Sequence, residues 1–573
     1  MRRSFSVSPV LTHRHLYGLL CLTIVLSFLV SVHPAAAQPL LTSGVVWEQP
    51  DDIDLAVADL RKMHDIGFNA VRTSLVHDVR ILEEADRLDL QLFQELPLHY
   101  LSTARFVDTL ETARRWFSDA VARGRGYASA RHFGIGRYLD TTDSTLCAAV
   151  GDLIGSARED APASATFYYS TLFIEGDRCA RHADLVLLET RDRAHVPQLV
   201  DEWYRHHDVP LGLASVGTWT LPDSPPGLRS FRSEQNQARF LENRLTEILV
   251  DGPVRGLTAF FIYRWRDTNV ALPLLSRTDA DAFRATYGLH SQGFDERMAL
   301  AVVHGFLSGE QTSFAFNVGE ATLHEWPWLT IMGWTVLLLI GLLYALSPRL
   351  RHMVPRYFMA HGFFRDAIRE GRDLLLGSSM ILLLSLGLAT GIIISVSIGF
   401  LAEVMAFRIL LSWMPADFVT FVAGAAGRPW FLALLLGAIY VLVYLVWNVL
   451  LAALSRTGYT LSPGQVLMLV TWPQWPLVVL MLAALAITSL ETSAGDPKAY
   501  VPITVVLGLW VLVTYQATAR TIVDYVRITR VPAYIPPLLI VLNPIVTLTI
   551  VSVFAWVQYR ADMVFVVRVL LAS

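Results

Sequence analysis

From Trp326 onward the chain carries apolar runs longer than a soluble fold buries, and that feature divides it into two solvent regimes. Six stretches, at residues 328–346, 374–400, 430–454, 466–490, 500–517 and 535–558, come close to or exceed the ~20 apolar residues that cross a bilayer. Charge is confined to short clusters between them. Residues 38–325 instead mix acids and bases throughout, as an ordinary globular domain does. The 573 residues are 53% hydrophobic, an excess that the second half supplies. A formal net charge of −4 without a basic stripe gives no electrostatic reason to expect nucleic acid.

The N-terminus reads as an export signal over residues 1–37: Arg2, Arg3 and Arg14, an apolar run from Leu16 to Val32, then Ala35, Ala36 and Ala37. An uncleaved signal anchor is the alternative, and both place the next domain outside the cytoplasm. Arginine bias tests that orientation. The segment 347–373, which would lie inside, holds Arg349, Arg351, Arg356, Arg365, Arg369 and Arg372, followed on the same side by Arg456, Arg520, Arg527 and Arg530. The outside loops carry only Arg408, Arg428 and Lys498 before the tail. Signal and bias agree on an integral inner or plasma membrane protein with its C-terminus outside. Residues 401–427, broken by Glu403, Arg408, Pro415 and Asp417, read as an interfacial or re-entrant piece.

Polar or helix-breaking residues within the spans are few: Asn448, the run Trp472-Pro473-Gln474-Trp475-Pro476, Gln516 and Asn543-Pro544. Kinks and interhelical hydrogen bonds account for them better than a substrate path. The last five spans, with Ser455-Arg456-Thr457-Gly458, a Pro-bearing fourth span, and Leu509-Trp510-Val511-Leu512 before Arg520, resemble the Yip-type membrane domain over residues 374–573. That resemblance implies a multi-span bundle and no particular chemistry.

Between residues 38 and 310 short β-branched runs alternate with amphipathic helices, the rhythm of βα units. Strands are expected at 43–47, 70–73, 91–95, 134–139, 166–171, 185–189, 211–216 and 257–263. A first helix over 51–66 has Ile53, Val57, Leu60 and Met63 at helical spacing and Gly67 as its stop. Eight strands predict an α/β (β/α)8 TIM-type barrel followed by an all-α transmembrane bundle, with a doubly wound open sheet as the alternative. Residues 311–327 form a linker between them. No phosphate loop follows the first strand, and no cofactor or metal motif is present. Cys147 and Cys179, the two cysteines of the exported domain, are either disulfide-bonded or free buried thiols.

Two groups of residues carry a resemblance to glycoside hydrolase family 2 and its clan. One is Asp59-Leu60-Arg61-Lys62-Met63 through Gly67-Phe68-Asn69-Ala70-Val71-Arg72, with Phe93-Gln94-Glu95-Leu96-Pro97. The other is Gln237-Ala238-Arg239-Phe240-Leu241 before Phe260-Phe261-Ile262-Tyr263-Arg264-Trp265, then Tyr287-Gly288-Leu289. The resemblance implies two glutamates, an acid/base after strand four and a nucleophile ending strand seven, about 5–5.5 Å apart in a retaining enzyme. This chain departs at both positions. The region 132–143 offers Asp140 and Asp143 in place of Asn-Glu, and Ser215 stands where the nucleophile is expected.

Glu48, Arg72, His77, Glu95, Tyr169, Glu189, Trp219, Trp265 and Asp267 lie at expected strand ends and are the candidate ligand-binding groups at the mouth. The resemblance gives Arg72 the role of supporting a nucleophile; the alternative is an ion pair with Glu95 or Glu189. Three functions are open: a degenerate glycosidase-like module that binds or senses carbohydrate, an active divergent glycosidase or transglycosidase, and an envelope or polysaccharide-export assembly protein with a protein partner. The topology gives a direct expectation: a reporter fused after Gly309 is active outside the cytoplasm and one fused after Pro355 inside, and the reverse pattern overturns it.

Overall fold

The local signals of the N-terminal half translate directly into units of strand and helix. In the computed structural model, β1 (Thr42–Val46) leads to α1 (Ile53–Ile66), whose N-cap Asp52 accepts from the amides of Asp54 and Leu55. Gly67 ends α1 in the left-handed conformation at φ 106°, tight against Leu307. The pattern repeats through β2 (Ala70–Ser74), α2 (Val79–Arg87), β3 (Gln91–Glu95), α3 (Thr103–Gly124), β4 (His132–Gly134) and α4 (Ser144–Asp160). It continues with β5 (Thr166–Thr171), β6 (Leu185–Glu189), α5 (Val196–His206), β7 (Leu211–Val216), α6 (Glu234–Thr246), β8 (Leu257–Ile262) and α7 (Met298–Ser308). Only a single 3-10 turn at Ala180–His182 stands between β5 and β6. The described residues are 41–190, 195–220, 224–230, 232–267, 286–319, 327–372, 375–401, 405–488 and 500–572, apart from short breaks at 413, 416–417, 419–420, 422–427 and 533. The export signal and part of the linker therefore lie outside them.

All eight strands pair in parallel, in chain order, and β8 closes on β1 through Thr42 with Ala259 and Gly44 with Phe261. The open-sheet alternative is excluded by that closure. Side-chain alternation produces two apolar layers. Val46, Ala70, Phe93, Tyr168, Leu187 and Phe261 fill the barrel interior, while Val45, Val71, Leu92, Phe133, Leu188 and Phe260 face the helices. Glycine makes room inside: a Cβ at Gly44 would lie 2.4 Å from the Phe261 ring.

Strand four differs from expectation. It spans three residues, two ahead of the expected start, and residues 135–139 belong to the mouth. The physical cause is a change of partner: Arg137 donates its amide to Leu98 O (3.2 Å), and Tyr100 donates to Arg137 O (3.1 Å). Gly136 permits this, since a Cβ there would sit 2.0 Å from the Leu98 carbonyl oxygen. Cys147 and Cys179 form a disulfide that ties α4 to the β5–β6 crossover.

Beyond the barrel come α8 (Trp328–Leu346), α9 (Pro348–Met359), α10 (His361–Arg369), α11 (Leu376–Leu401), α12 (Met405–Ser412), α13 (Pro429–Leu454), α14 (Pro463–Thr471) and α15 (Pro476–Thr488). The chain ends in α16 (Tyr500–Thr529), α17 (Ile535–Leu542), α18 (Pro544–Gln558) and α19 (Arg560–Ala572). By length and composition α8, α11, α13 and α16 could cross a membrane, and up to six spans result if each of two bent pairs counts as one. The fourth expected stretch is one of those pairs, bent by 41° where Trp472-Pro473-Gln474 interrupts α14 and α15. The sixth is broken at Asn543-Pro544. In the bundle α11 and α13 meet backbone to backbone at Gly387, Gly391 and Gly437; a Cβ on Gly391 would lie 2.0 Å from Ala433 O.

His132 links this packing to pH. Its ring lies flat on Phe93 inside the barrel (centroids 4.1 Å apart, 3° between planes), and burial pushes its pKa down to about 4. The unfolded chain holds the proton more tightly, so stability is complete above the ordinary histidine value and falls as pH drops from ~6.5 toward about 4, by on the order of 3 kcal/mol. Thermal unfolding at pH 7.5 and pH 4.5 should show a smaller acid loss in His132→Phe than in the wild type; identical losses refute the assignment.

Candidate functional site

The C-terminal ends of the barrel strands converge on one buried guanidinium. Arg72 sits mid-strand in β2 with its side chain turned inward, fully buried. Its Nε donates to Glu95 Oε1 (2.7 Å) on β3, and Nη1 donates to Ala214 O (2.6 Å) on β7. Nη2 donates to Ser170 Oγ (3.0 Å) on β5 and meets Glu189 Oε1 (3.4 Å) on β6. One planar donor thus joins five of the eight strands. A lysine would offer only a point charge in its place.

The two carboxylates are satisfied on both oxygens. Glu95 Oε2 accepts from Arg137 Nε at 2.6 Å. Burial alone would raise the Glu95 carboxyl, but Arg137 and Arg72 outweigh it and hold the group below the usual carboxylate range. Glu189 Oε2 accepts from Ser215 Oγ (2.5 Å) and from the Tyr138 hydroxyl (3.2 Å). The sequence places strands three and six across the barrel from one another; the narrow interior nevertheless lets Arg72 touch both glutamates. Burial also pushes the phenol of Tyr168, beside this network, well above its ordinary value.

The arrangement brings together Arg72, Glu95, Glu189 and Ser215 among the sequence candidates. It adds Arg137, Tyr138 and Ser170, which the sequence reading did not select. Ser170 was legible by parity, since it alternates with Tyr168 on the inward face of β5. Arg137 and Tyr138 were hidden by the misplaced end of β4.

The remaining candidates lie elsewhere. Tyr169 points outward into the strand–helix layer and donates to Asp177 Oδ1 (2.8 Å). Trp265 is buried in that same outer layer with its ring 4.4 Å from His290. Trp219 belongs to the interior cluster, covered by the Arg232 guanidinium at 4.5 Å. Asp267 pairs with Arg297 and accepts from the Gly288 amide (2.7 Å), and burial raises its carboxyl. Glu48 is exposed, 3.8 Å from Arg264, and His77 is exposed after β2. Asp143 is the N-cap of α4: its carboxylate accepts from the Thr145 amide (2.8 Å), and such bonds hold it below its ordinary value against the effect of burial. Asp140 is buried and accepts from Thr142 (2.7 Å) and from Arg568 (2.8 Å) of the C-terminal helix. Among the described residues no group of three or more His, Cys, Asp or Glu side chains is placed to hold a metal ion.

No family model matches the chain, and no curated protein matches it. Among solved structures it is similar to a GH2 beta-galacturonidase from Eisenbergiella tayi bound to galacturonate, at 14% identity and TM-score 0.41, over 47% of this chain and 52% of that one. It is also similar to the Ruminococcus gnavus beta-glucuronidase (14% identity, TM-score 0.41, 48% and 52% of the two chains). A beta-D-glucuronidase of Dictyoglomus thermophilum is matched at 13% identity and TM-score 0.41, over 47% and 51%. The chain spans about half the length of these structures. At that level of likeness nothing about chemistry carries over, and the barrel stands on its own strand pairing.

Removing the guanidinium leaves Glu95 with Arg137 as its remaining cation and Glu189 with only the Ser215 and Tyr138 hydroxyls. Arg72→Met is expected to cost about 3–5 kcal/mol, read as a fall of roughly 10 °C in the unfolding midpoint of the barrel. Adding Glu95→Gln should recover part of the loss, and an unchanged midpoint in the single variant contradicts the hub role.

Proposed function

We propose that this chain holds a glycosidase-like barrel outside the cytoplasm, anchored by its helical bundle, and that the mouth binds carbohydrate without hydrolysing it. The observation that carries the reading is the double engagement of Glu95 and Glu189. A general acid must hold a proton near neutral pH, and Glu95 is kept ionised by two arginines. A nucleophilic carboxylate must be presented to the sugar, and Glu189 is buried with its oxygens turned to Arg72, Ser215 and Tyr138. Ser215 donates its proton to Glu189 without an intervening imidazole, so it lacks the base that activates a serine. Asp143 is committed to a helix cap.

The carbohydrate part of the proposal rests on the family 2 resemblance of the segments around Arg72 and Glu95, both of which reach the barrel mouth. The anchoring part rests on the apolar helices. The orientation is supported by contacts: α12 and α19 both pack on the barrel rim, and both lie on the side that the arginine bias assigns to the barrel.

The test uses the full chain in lipid nanodiscs. Aryl glycosides, glucuronides included, should be hydrolysed no faster than background. Turnover lost on Glu189→Gln or Glu95→Gln replaces this reading with a divergent enzyme. Retention on a saccharide array, weakened at least about tenfold by Tyr138→Ala, is the positive expectation. A chain with neither turnover nor retention, even after the C-terminal helix is released as below, points to a protein partner in the envelope.

A further inference from the structure

The C-terminal helix α19 does not lie free at the end of the bundle. One of its faces presents Asp562, Phe565 and Val569 at helical spacing, with Arg568 beside them, and Phe565 and Val569 are wholly buried. Their cover is the barrel rim: Tyr100, Tyr138, Leu172 and Phe173, with Ile409 of α12 completing the cluster. Opposite charges clamp the two ends of the contact. Asp562 accepts from Ser102 Oγ and pairs with Arg105 (2.9 Å), while Arg568 donates to Asp140 Oδ2 (2.8 Å) and Thr142 Oγ1 (3.1 Å). Asp140 and Asp562 are buried while Arg105 and Arg568 stay partly exposed, so losing an arginine would leave a buried carboxylate without its cation.

Beneath the helix the rim has the chemistry of a binding surface. The rings of Tyr100 and Tyr138 stack 4.4 Å apart at 10°. Both residues hold left-handed backbone, φ 56° and 54°, a conformation that costs a non-glycine residue on the order of 1–2 kcal/mol. Asp140, Arg105, Ser102 and Thr142 hold the helix that covers the aromatic pair, and the Tyr138 hydroxyl reaches Glu189 in the buried network. An aromatic pair on the same rim as a carboxylate, a guanidinium and hydroxyls suits the apolar face and hydroxyl edge of a saccharide.

We propose that α19 is a built-in strap occupying this rim, and that a saccharide reaches Tyr100, Tyr138 and Asp140 only when the strap undocks. The strap itself follows from the contacts; the identity of its competitor rests on the carbohydrate reading above. Because ligand and strap exclude each other, binding shifts the equilibrium toward the released helix, and α18, joined to α19 at a sharp bend, carries that change into the bundle.

The experiment reads strap docking without any sugar. In the full chain with Cys21→Ser, the one free cysteine is introduced as Leu172→Cys under the strap, and its labelling by a membrane-impermeant maleimide is timed in nanodiscs. Asp562→Ala with Arg568→Ala should label at least about tenfold faster, and exchanging the charges by Asp140→Arg with Arg568→Asp should bring the rate back to within about twofold of the parent. Equal rates in all three overturn the strap. Should the exchanged pair fail to fold, a chain ending at Tyr559 decides: a synthetic peptide of residues 560–573 must slow its labelling saturably, and a peptide without effect overturns the proposal. Saccharide retention at least about tenfold stronger in the released chain than in the parent extends the result to the ligand. Faster labelling without any retention leaves the strap standing and sinks the carbohydrate reading.

Discussion

The barrel mouth depends on the Arg72 guanidinium. Its nitrogens reach β3, β5, β6 and β7 from β2, and it is the one cation that meets the carboxylates of both Glu95 and Glu189 among the described residues. Burying two anions in a narrow apolar tube is costly, and the cost is met by two arginines, a serine and a tyrosine in fixed geometry. The same saturation that makes the network stable is what the non-hydrolytic proposal rests on. A proton donor needs a raised carboxyl, and Arg137 and Arg72 drive Glu95 the other way.

That network extends outward through Tyr138. Its hydroxyl touches Glu189 while its ring stacks on Tyr100 under the last helix, so a single side chain spans buried carboxylate and strap. The loop carrying it exists because β4 is short. Once the chain leaves the sheet after Gly134 it pairs with residues 98–100 and places Arg137, Tyr138 and Asp140 in successive roles on one rim. The disulfide and the α4 N-cap at Asp143 brace the far side of that loop. The rim is therefore tied to a segment whose two ends answer to the barrel and to the helices of the apolar half.

Local chemistry made much of the fold legible. Strands β3, β5, β6 and β7 begin and end where their apolar runs do, and α1 stops at Gly67, because short-range pattern and backbone sterics decide those boundaries. Strand four was misread because Ile135 and Leu139 look like strand residues, while the Leu98 carbonyl that captures Arg137 is distant in sequence. Tyr169 and Trp265 were assigned to the mouth by position near strand ends; the parity of β5 and the course of the chain after β8 turn them into the outer layer. The span at 535–558 is expected as one stretch kinked at Asn543-Pro544, and that pair separates it into α17 and α18.

What the sequence alone determined is the division into a βα domain and an apolar helical half, since composition and period reflect solvent and backbone geometry residue by residue. It also carried the identity of the polar residues Arg72, Glu95, Glu189 and Ser215, though not their mutual contacts. Tertiary structure alone decided that one guanidinium holds both glutamates, that Ser215 has an acceptor, and that Asp140 belongs to Arg568. Those contacts join residues up to 428 positions apart, and no local preference encodes a pairing that exists only once the barrel has closed and the C-terminal helix has returned to its rim.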